Sequence, residues 1–380
     1  MENIKLSDIL NHFSNNDTFL KTPERLLVFN GEQTRFQLAM NDSITLIEEI
    51  RAIQKEFKAP MIIGAIPFDQ RSKATIIIPD TFVNYHHSNL IDDLQTANQP
   101  LSIEDSIDLP SRLQFNEMIQ EAIHSIRKQQ FSKVVLARSL KFRLQEEPPI
   151  TAWLTNLLHK NKQGYIFSIA LDNAQNLIGA SPELLVKKEG NIVTINPLAG
   201  SRKKTYDLVK DKAIENELLH AEKDLHEHKI VVDYICEKLE PHLEEIEYNE
   251  KPAILYTDTM MHLSTVIKGK IKNDTTTVLD VAQLLHPTPA ICGAPQKPSL
   301  EFIQKTEPFN RRYYTGIVGY MDHYGDGEWV ITIRCAEINH RDITLFAGAG
   351  IVNSSEQDSE YNEISAKFTT MLQAMGLAQE

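Results

Sequence analysis

Glu360, Glu363 and Lys367, near the C-terminus, form the clearest chemical pattern in this chain. They stand at i, i+3 and i+7, so they share one flank of a helix over 357–376. That flank borders an apolar stripe of Ile364, Phe368, Met371, Leu372 and Met375. Carboxylates there would line a boundary or a pocket wall, where an unpaired charge is costly. On spacing alone, a solvated Glu363–Lys367 ion pair is the stronger reading. Asp224 and Glu227 repeat the i, i+3 spacing where a helical segment, 207–240, turns apolar nearly all round. Two helices with paired carboxylates would give an all-oxygen shell, which suits Mg²⁺. A zinc site from His220, His226 and His228 is conceivable, but HExxH is absent and surface histidines are the better reading.

Acid–base chemistry has candidates too. Lys133 opens the strand KVVLARSLKF and shares its face with Val135 and Ala137, opposite Val134 and Leu136. Desolvation on such a face would make the amine a usable base, while a strand-end lysine in water is the plainer reading. Glu183 follows a Ser-Pro turn in GASPELLV. Apolar surroundings would raise its pKa, as a general acid needs; otherwise it is a turn carboxylate. Arg334, in VITIRCAEI, reads as deep in a strand, fit to bind a carboxylate or to be ion-paired in a sheet. Gly348 and Gly350, and Gly200 beside Ser201, would let a ligand approach the backbone.

The elements that must carry these groups alternate in period. Strands are expected at 25–30, 60–68, 74–83, 133–142, 165–171, 176–180, 184–195, 313–321, 328–338 and 343–347. Asp326–Gly327 is a hairpin signal. Residues 93–112 read as a polar connector. An amphipathic helix carries Phe115, Met118, Ile119, Ala122, Ile123 and Ile126. Short strands, tight turns and long helices predict an α+β fold with large, mostly antiparallel sheets backed by helices. A dinucleotide-binding fold is excluded, because no GxGxxG opens a helix after a strand.

Composition sets the limits. The 380 residues carry a net charge of −13, which disfavours nucleic acid and anionic membranes as partners. An anionic substrate would need local cations or a metal. No apolar run is long enough for a membrane helix, and MENIKLSDILNHF lacks a signal-peptide pattern, so a cytoplasmic location is expected. Cys236, Cys292 and Cys335 are odd in number and far apart, which favours free thiols.

Taken together, FSKVVLAR, GASPELLV, PLAGSR, KDLHEH, MHLSTVIKG, LLHPTPAICGAPQ, EPFNRRYYTGIVGY, GEWVITIRCAEI, LFAGAGIV and SEYNEISAK resemble the chorismate-utilising enzymes. Within them they are most similar to isochorismate synthases of catecholate siderophore pathways. The motifs run in family order over about 130–370; the first hundred residues resemble the family mainly at GAIPF. The resemblance implies an anthranilate synthase component I-like fold. It implies a single chorismate-binding domain over 1–380, with 1–105 weakly matching and 106–380 as catalytic core. It also implies an Mg²⁺-dependent enzyme converting chorismate to isochorismate, acting as a monomer.

By that resemblance Lys133 is the base that activates water, and Glu183 the acid that protonates the departing hydroxyl. Glu227 and Glu363 are the direct metal ligands, with Asp224 and Glu360 supporting through water. Arg334 and Lys367 bind substrate carboxylates, with backbone at Gly348 and Gly200–Ser201, and His262 faces the ring. Ammonia-using relatives typically carry Gln in place of Lys133. Salicylate synthases usually carry Thr in place of Ala290, so Ala290 favours stopping at isochorismate. A salicylate synthase and a menaquinone-pathway isochorismate synthase are the alternatives.

Overall fold

The computed structural model describes residues 4–377, apart from 41–42, 98, 100 and 173–174. Residues 1–3 of the N-terminal segment, and 98 and 100 of the connector, therefore lie outside the described residues. One antiparallel sheet dominates. Its strands pair in the order Leu243–Tyr248, Ile267–Ile271, Ile192–Asn196, Leu184–Glu189, Gly327–Ile331, Ile317–Asp322, Met61–Ile66 and Lys73–His86. It continues through Arg25–Ala39, Thr18–Lys21, Tyr165–Asp172, Gln175–Ser181, Cys335–Asn339, Asp342–Ile351, Lys133–Leu144 and Ile103–Leu109. The N-terminal strands thus sit within the sheet, between strands from later in the chain. A smaller sheet joins Leu198–Lys203, Met260–Ser264 and Ala253–Tyr256.

The large sheet curls so that its two halves face each other. Alternation decides which residues go where. Phe29, Ile63, Ile77, Phe167, Val330 and Phe346 fill the space between the halves. Helices cover both outer faces. Arg112–Arg127, Ile150–Lys160 and Gln357–Ala374 bury Phe115, Trp153 and Ile364 on one side. Ser43–Glu56, Glu222–Leu239 and Val278–Leu285 bury Ile50, Ile235 and Leu285 on the other. The α+β expectation therefore holds.

Several boundaries differ from the sequence reading. The helix expected over 207–240 is two, Leu208–Leu218 and Glu222–Leu239, separated by an extended Ala221. The two segments pack on different surfaces: Leu218 joins Met261 and Leu263, whereas Val231 and Ile235 join the large core. The break places Asp224 in the first turn of the second helix, where free N–H groups favour a carboxylate. The connector contains a strand, Ile103–Leu109, paired along Lys133–Leu144. Segment 184–195 is a hairpin turning at Gly190, φ +57°. The hairpin at YGDGEW forms, but its left-handed residue is Gly325, φ +79°, not Gly327.

The correction that bears on function concerns 328–338. This is not one strand but two, Gly327–Ile331 and Cys335–Asn339. Arg334 lies in the gap with φ +50°. A second gap, at Pro182–Glu183, faces it. Ala180 N–H donates to the Arg334 carbonyl (3.0 Å) and Ile331 N–H to the Glu183 carbonyl (3.1 Å). Two interrupted strands are thus joined at their interruptions, which releases both side chains from the sheet's alternation.

Candidate active site

A cleft opens at those interruptions. Its walls include Glu183, Gly200, Ser201, Glu227, His262, Ala290, Arg334, Gly348, Glu363 and Lys367. Lys133 lies just behind, its ammonium 2.8 Å from Glu227 Oε1. The contact has ion-pair distance but not hydrogen-bond geometry. Lys133 is wholly buried. Gly350 makes room for the pair, because a Cβ there would overlap Glu227 Oε1 and come within 2.8 Å of Lys133 Cε.

Glu183, in the cleft wall, is also buried. Burial pushes its carboxyl up to about 7, against a hydrogen bond from the Leu198 backbone and the positive fields of Lys133, Arg334 and Lys367. A carboxyl in that range can still hold a proton at neutral pH and give it up. Arg334 is 8% exposed. Among the described residues no hydrogen bond or ion pair holds its guanidinium; Glu363 and Glu183 act on it only through space. Burial lowers its pKa from the ordinary value. A buried, unpartnered guanidinium is costly to keep unless an anion binds it.

Lys367 reaches Glu363 (2.6 Å) and the Gly348 carbonyl (2.9 Å). A quarter of the Glu363 side chain meets solvent through the cleft, though protein surrounds the rest. Burial pushes the Glu363 carboxyl up, but Lys367, Lys223 and Arg334 outweigh it and hold it below the usual carboxylate range. Glu360 is raised, by burial and then by Glu363, against Lys223. Lys223 pairs with Glu360 at 2.5 Å and also feels Glu227 and Glu363, which keep its pKa raised despite burial. One cation therefore already sits in the field of three carboxylates. Among the described residues, no three His, Cys, Asp or Glu side chains converge as a ready-made metal cage. The oxygen donors and the shared field nonetheless fit a hard divalent cation.

Asp224 is gripped by the Arg202 guanidinium, at 3.1 Å to Oδ1 and 2.8 Å to Oδ2. Gly200, φ +82°, passes beside it, since a Cβ there would meet Asp224 Cβ at 2.9 Å. His262 shares a 2.8 Å hydrogen bond from Nδ1 with Ser201 Oγ, across a register pair of the small sheet. Its buried Nε2 has no hydrogen-bond partner among the described residues. Burial, with Arg334 and Lys367 nearby, holds the ring well below its usual pKa and hence neutral.

Not every residue here was read from the sequence. Lys223 and Arg202, the partners of Glu360 and Asp224, were missed. Lys223 stands four residues before Glu227, a spacing that could have found it. Tyr314 also lines the cleft, stacked on Phe346 at 5.2 Å; the strand expected over 313–321 starts only at Ile317, which leaves Tyr314 in the turn before it. Of the three histidines read as surface groups, His220 and His226 are exposed. His228 is buried, with Nε2 2.7 Å from Thr265 Oγ1. Burial, and then Lys133, lowers its pKa to about 4.

Residues 79–376 match the chorismate binding enzyme family, and the chain belongs to that family. It is 37% identical to isochorismate synthase DhbC of Bacillus subtilis, over 98% of this chain and 97% of that one. It superposes on a structure assigned as a 2,3-dihydroxybenzoate-specific isochorismate synthase, DhbC, of Bacillus anthracis, with TM-score 0.89. That pair is 36% identical, over 98% of this chain and 99% of the other. Anthranilate synthase component I of Streptococcus pneumoniae shares the fold, with TM-score 0.76 at 22% identity over 92% of each chain.

Proposed function

We propose that this protein is an isochorismate synthase, converting chorismate to isochorismate for catecholate siderophore biosynthesis. One observation carries the reading: buried Glu183, and Lys133 behind Glu227, adjoin a cleft where Arg334 has no hydrogen-bonded or ion-paired partner among the described residues. In this reading Lys133 takes a proton from water as its oxygen bonds to ring C2. Both ring double bonds shift round by one position, and Glu183 gives a proton to the C4 hydroxyl, which leaves as water. One water enters and one departs, so the reaction is an isomerisation. Each proton transfer contributes about 10²–10⁴-fold.

Arg334 and Lys367 pair with the substrate's carboxylates, and neutral His262 faces the ring. Glu227 and Glu363 would hold Mg²⁺ directly, with Glu360 and Asp224 as outer carboxylates; the ion supplies charge neutralisation at the ring carboxylate. Lys133 and Ala290 favour water addition that stops at isochorismate. We place the enzyme in the cytoplasm, as a monomer with one domain; no helix among the described residues is long and apolar enough to cross a membrane. The test is incubation with chorismate and Mg²⁺, followed by chromatography. Isochorismate as the main product is expected. Salicylate with pyruvate would overturn the product assignment, and no turnover would overturn the activity.

A further inference from the structure

The cleft is too small as it stands. Its free volume is 60 Å³, about two waters' worth. Beside it lies a recess of 720 Å³, and Pro182 forms part of both walls. The same two strands connect them. Leu198–Lys203 and Met260–Ser264 place Ser201 and His262 in the cleft, and their far ends deliver Lys204 and the Thr257–Asp258 turn to the recess. Lys204 is three residues beyond Ser201, roughly 10 Å along an extended chain.

The recess is locally basic in a protein of net charge −13. Lys160, Lys162 and Lys204 line it against one carboxylate, Asp258. Lys162 is paired with Asp92. Among the described residues, neither Lys160 nor Lys204 has a carboxylate within ion-pair distance; Lys204 Nζ reaches the Thr257 carbonyl, at 3.4 Å, and the face of the Tyr206 ring. Lys160 ends the helix Ile150–Lys160, where a cation also offsets the helix dipole. That role would show in thermal melting and not in substrate capture. Lys204 has no such helix role; its ammonium lies 5.4 Å from the Tyr206 ring centroid and lends its field to Asp211.

We propose that this recess is a capture site for the small dicarboxylate substrate, where Lys160 and Lys204 concentrate the dianion beside the cleft before it passes Pro182. The inference rests on the chorismate reading. Its two cations act on substrate arrival and weak binding, not on the proton transfers between Lys133 and Glu183.

The test is steady-state turnover of chorismate by the full chain with Mg²⁺, at low and high salt. Lys160→Gln/Lys204→Gln should lower kcat/KM at low salt about threefold to tenfold, through KM, with kcat unchanged. The variant should also lose most of the wild-type salt dependence, because screening acts on the charges it removes. Lys160→Arg/Lys204→Arg should retain wild-type behaviour, and Asp258→Asn should lower KM. An active wild type with unchanged KM and salt slope in the Gln double variant overturns the capture site alone. A change confined to melting temperature assigns Lys160 to the helix dipole and likewise overturns it. A wild type inert toward chorismate removes the parent reading, and the inference with it.

Discussion

Arg311→Leu should cost about 4–6 kcal/mol of stability at neutral pH, although Arg311 meets the cleft only from behind, at Thr315 Oγ1 (3.3 Å) and the Tyr314 ring. Arg311 and Glu307 are each about 2% exposed and bonded twice, at 2.6 and 2.8 Å. The guanidinium also donates to the carbonyls of Ile291 (2.9 Å) and Val135 (2.7 Å), and Glu307 accepts from Ala137 N–H (2.9 Å). The pair thereby ties the strand of Lys133 to the loop of Ala290. Removing Arg311 strands a buried carboxylate. Protonating a carboxylic acid of ordinary acidity at pH 7 costs about 3.7 kcal/mol, which caps the charge penalty. Two buried carbonyls that lose donors add about 1 kcal/mol or more each. The sum agrees with the roughly 3–5 kcal/mol typical of a broken buried pair.

The assay is urea unfolding followed by fluorescence of buried Trp153 and Trp329. Neutralising the stranded acid is easier at lower pH, so the difference from wild type should shrink by about 2.7 kcal/mol between pH 7 and pH 5. Arg311→Leu/Glu307→Met should recover at least about 2 kcal/mol, because an apolar pair leaves no buried charge. A single variant costing under about 1 kcal/mol, or a double variant no better than the single, refutes the reasoning.

Glu183→Gln should lower turnover about 10²–10⁴-fold. It should also stabilise the fold by roughly 3 kcal/mol above pH 7, since the wild-type carboxyl is raised to about 7 and its ionisation is penalised in the folded state. That gain is absent below the ordinary carboxylate range and grows as pH rises toward 7; melting curves at several pH values check the sign. The wild-type rate should correspondingly fall as pH rises through about 7, as Glu183 loses its proton. Gly350→Ala should cut turnover at least about tenfold with circular dichroism unchanged, by displacing the Lys133–Glu227 pair. Lys133→Ala should abolish turnover yet retain chorismate binding by calorimetry. Stripping divalent cations with a chelator should abolish turnover, and Mg²⁺ should restore it.

The sequence by itself determined the class of fold and the residue types of the site. Periodicity exposed the helix of Glu360, Glu363 and Lys367 and the strand of Lys133, because local spacing is set by backbone geometry. Motif order identified the family. Spacing could not decide whether Glu363 and Lys367 are solvated or enclosed. That depends on residues far away in the chain, such as Lys223 and Gly348, which only packing brings near. The interruptions at Pro182–Glu183 and Thr332–Arg334 were read as continuous strand in the second case. Each interruption is stabilised by hydrogen bonds to the other, so neither is a local property. Burial is likewise a tertiary quantity. It makes Glu183 a weak acid poised near neutrality and lowers the pKa of Arg334.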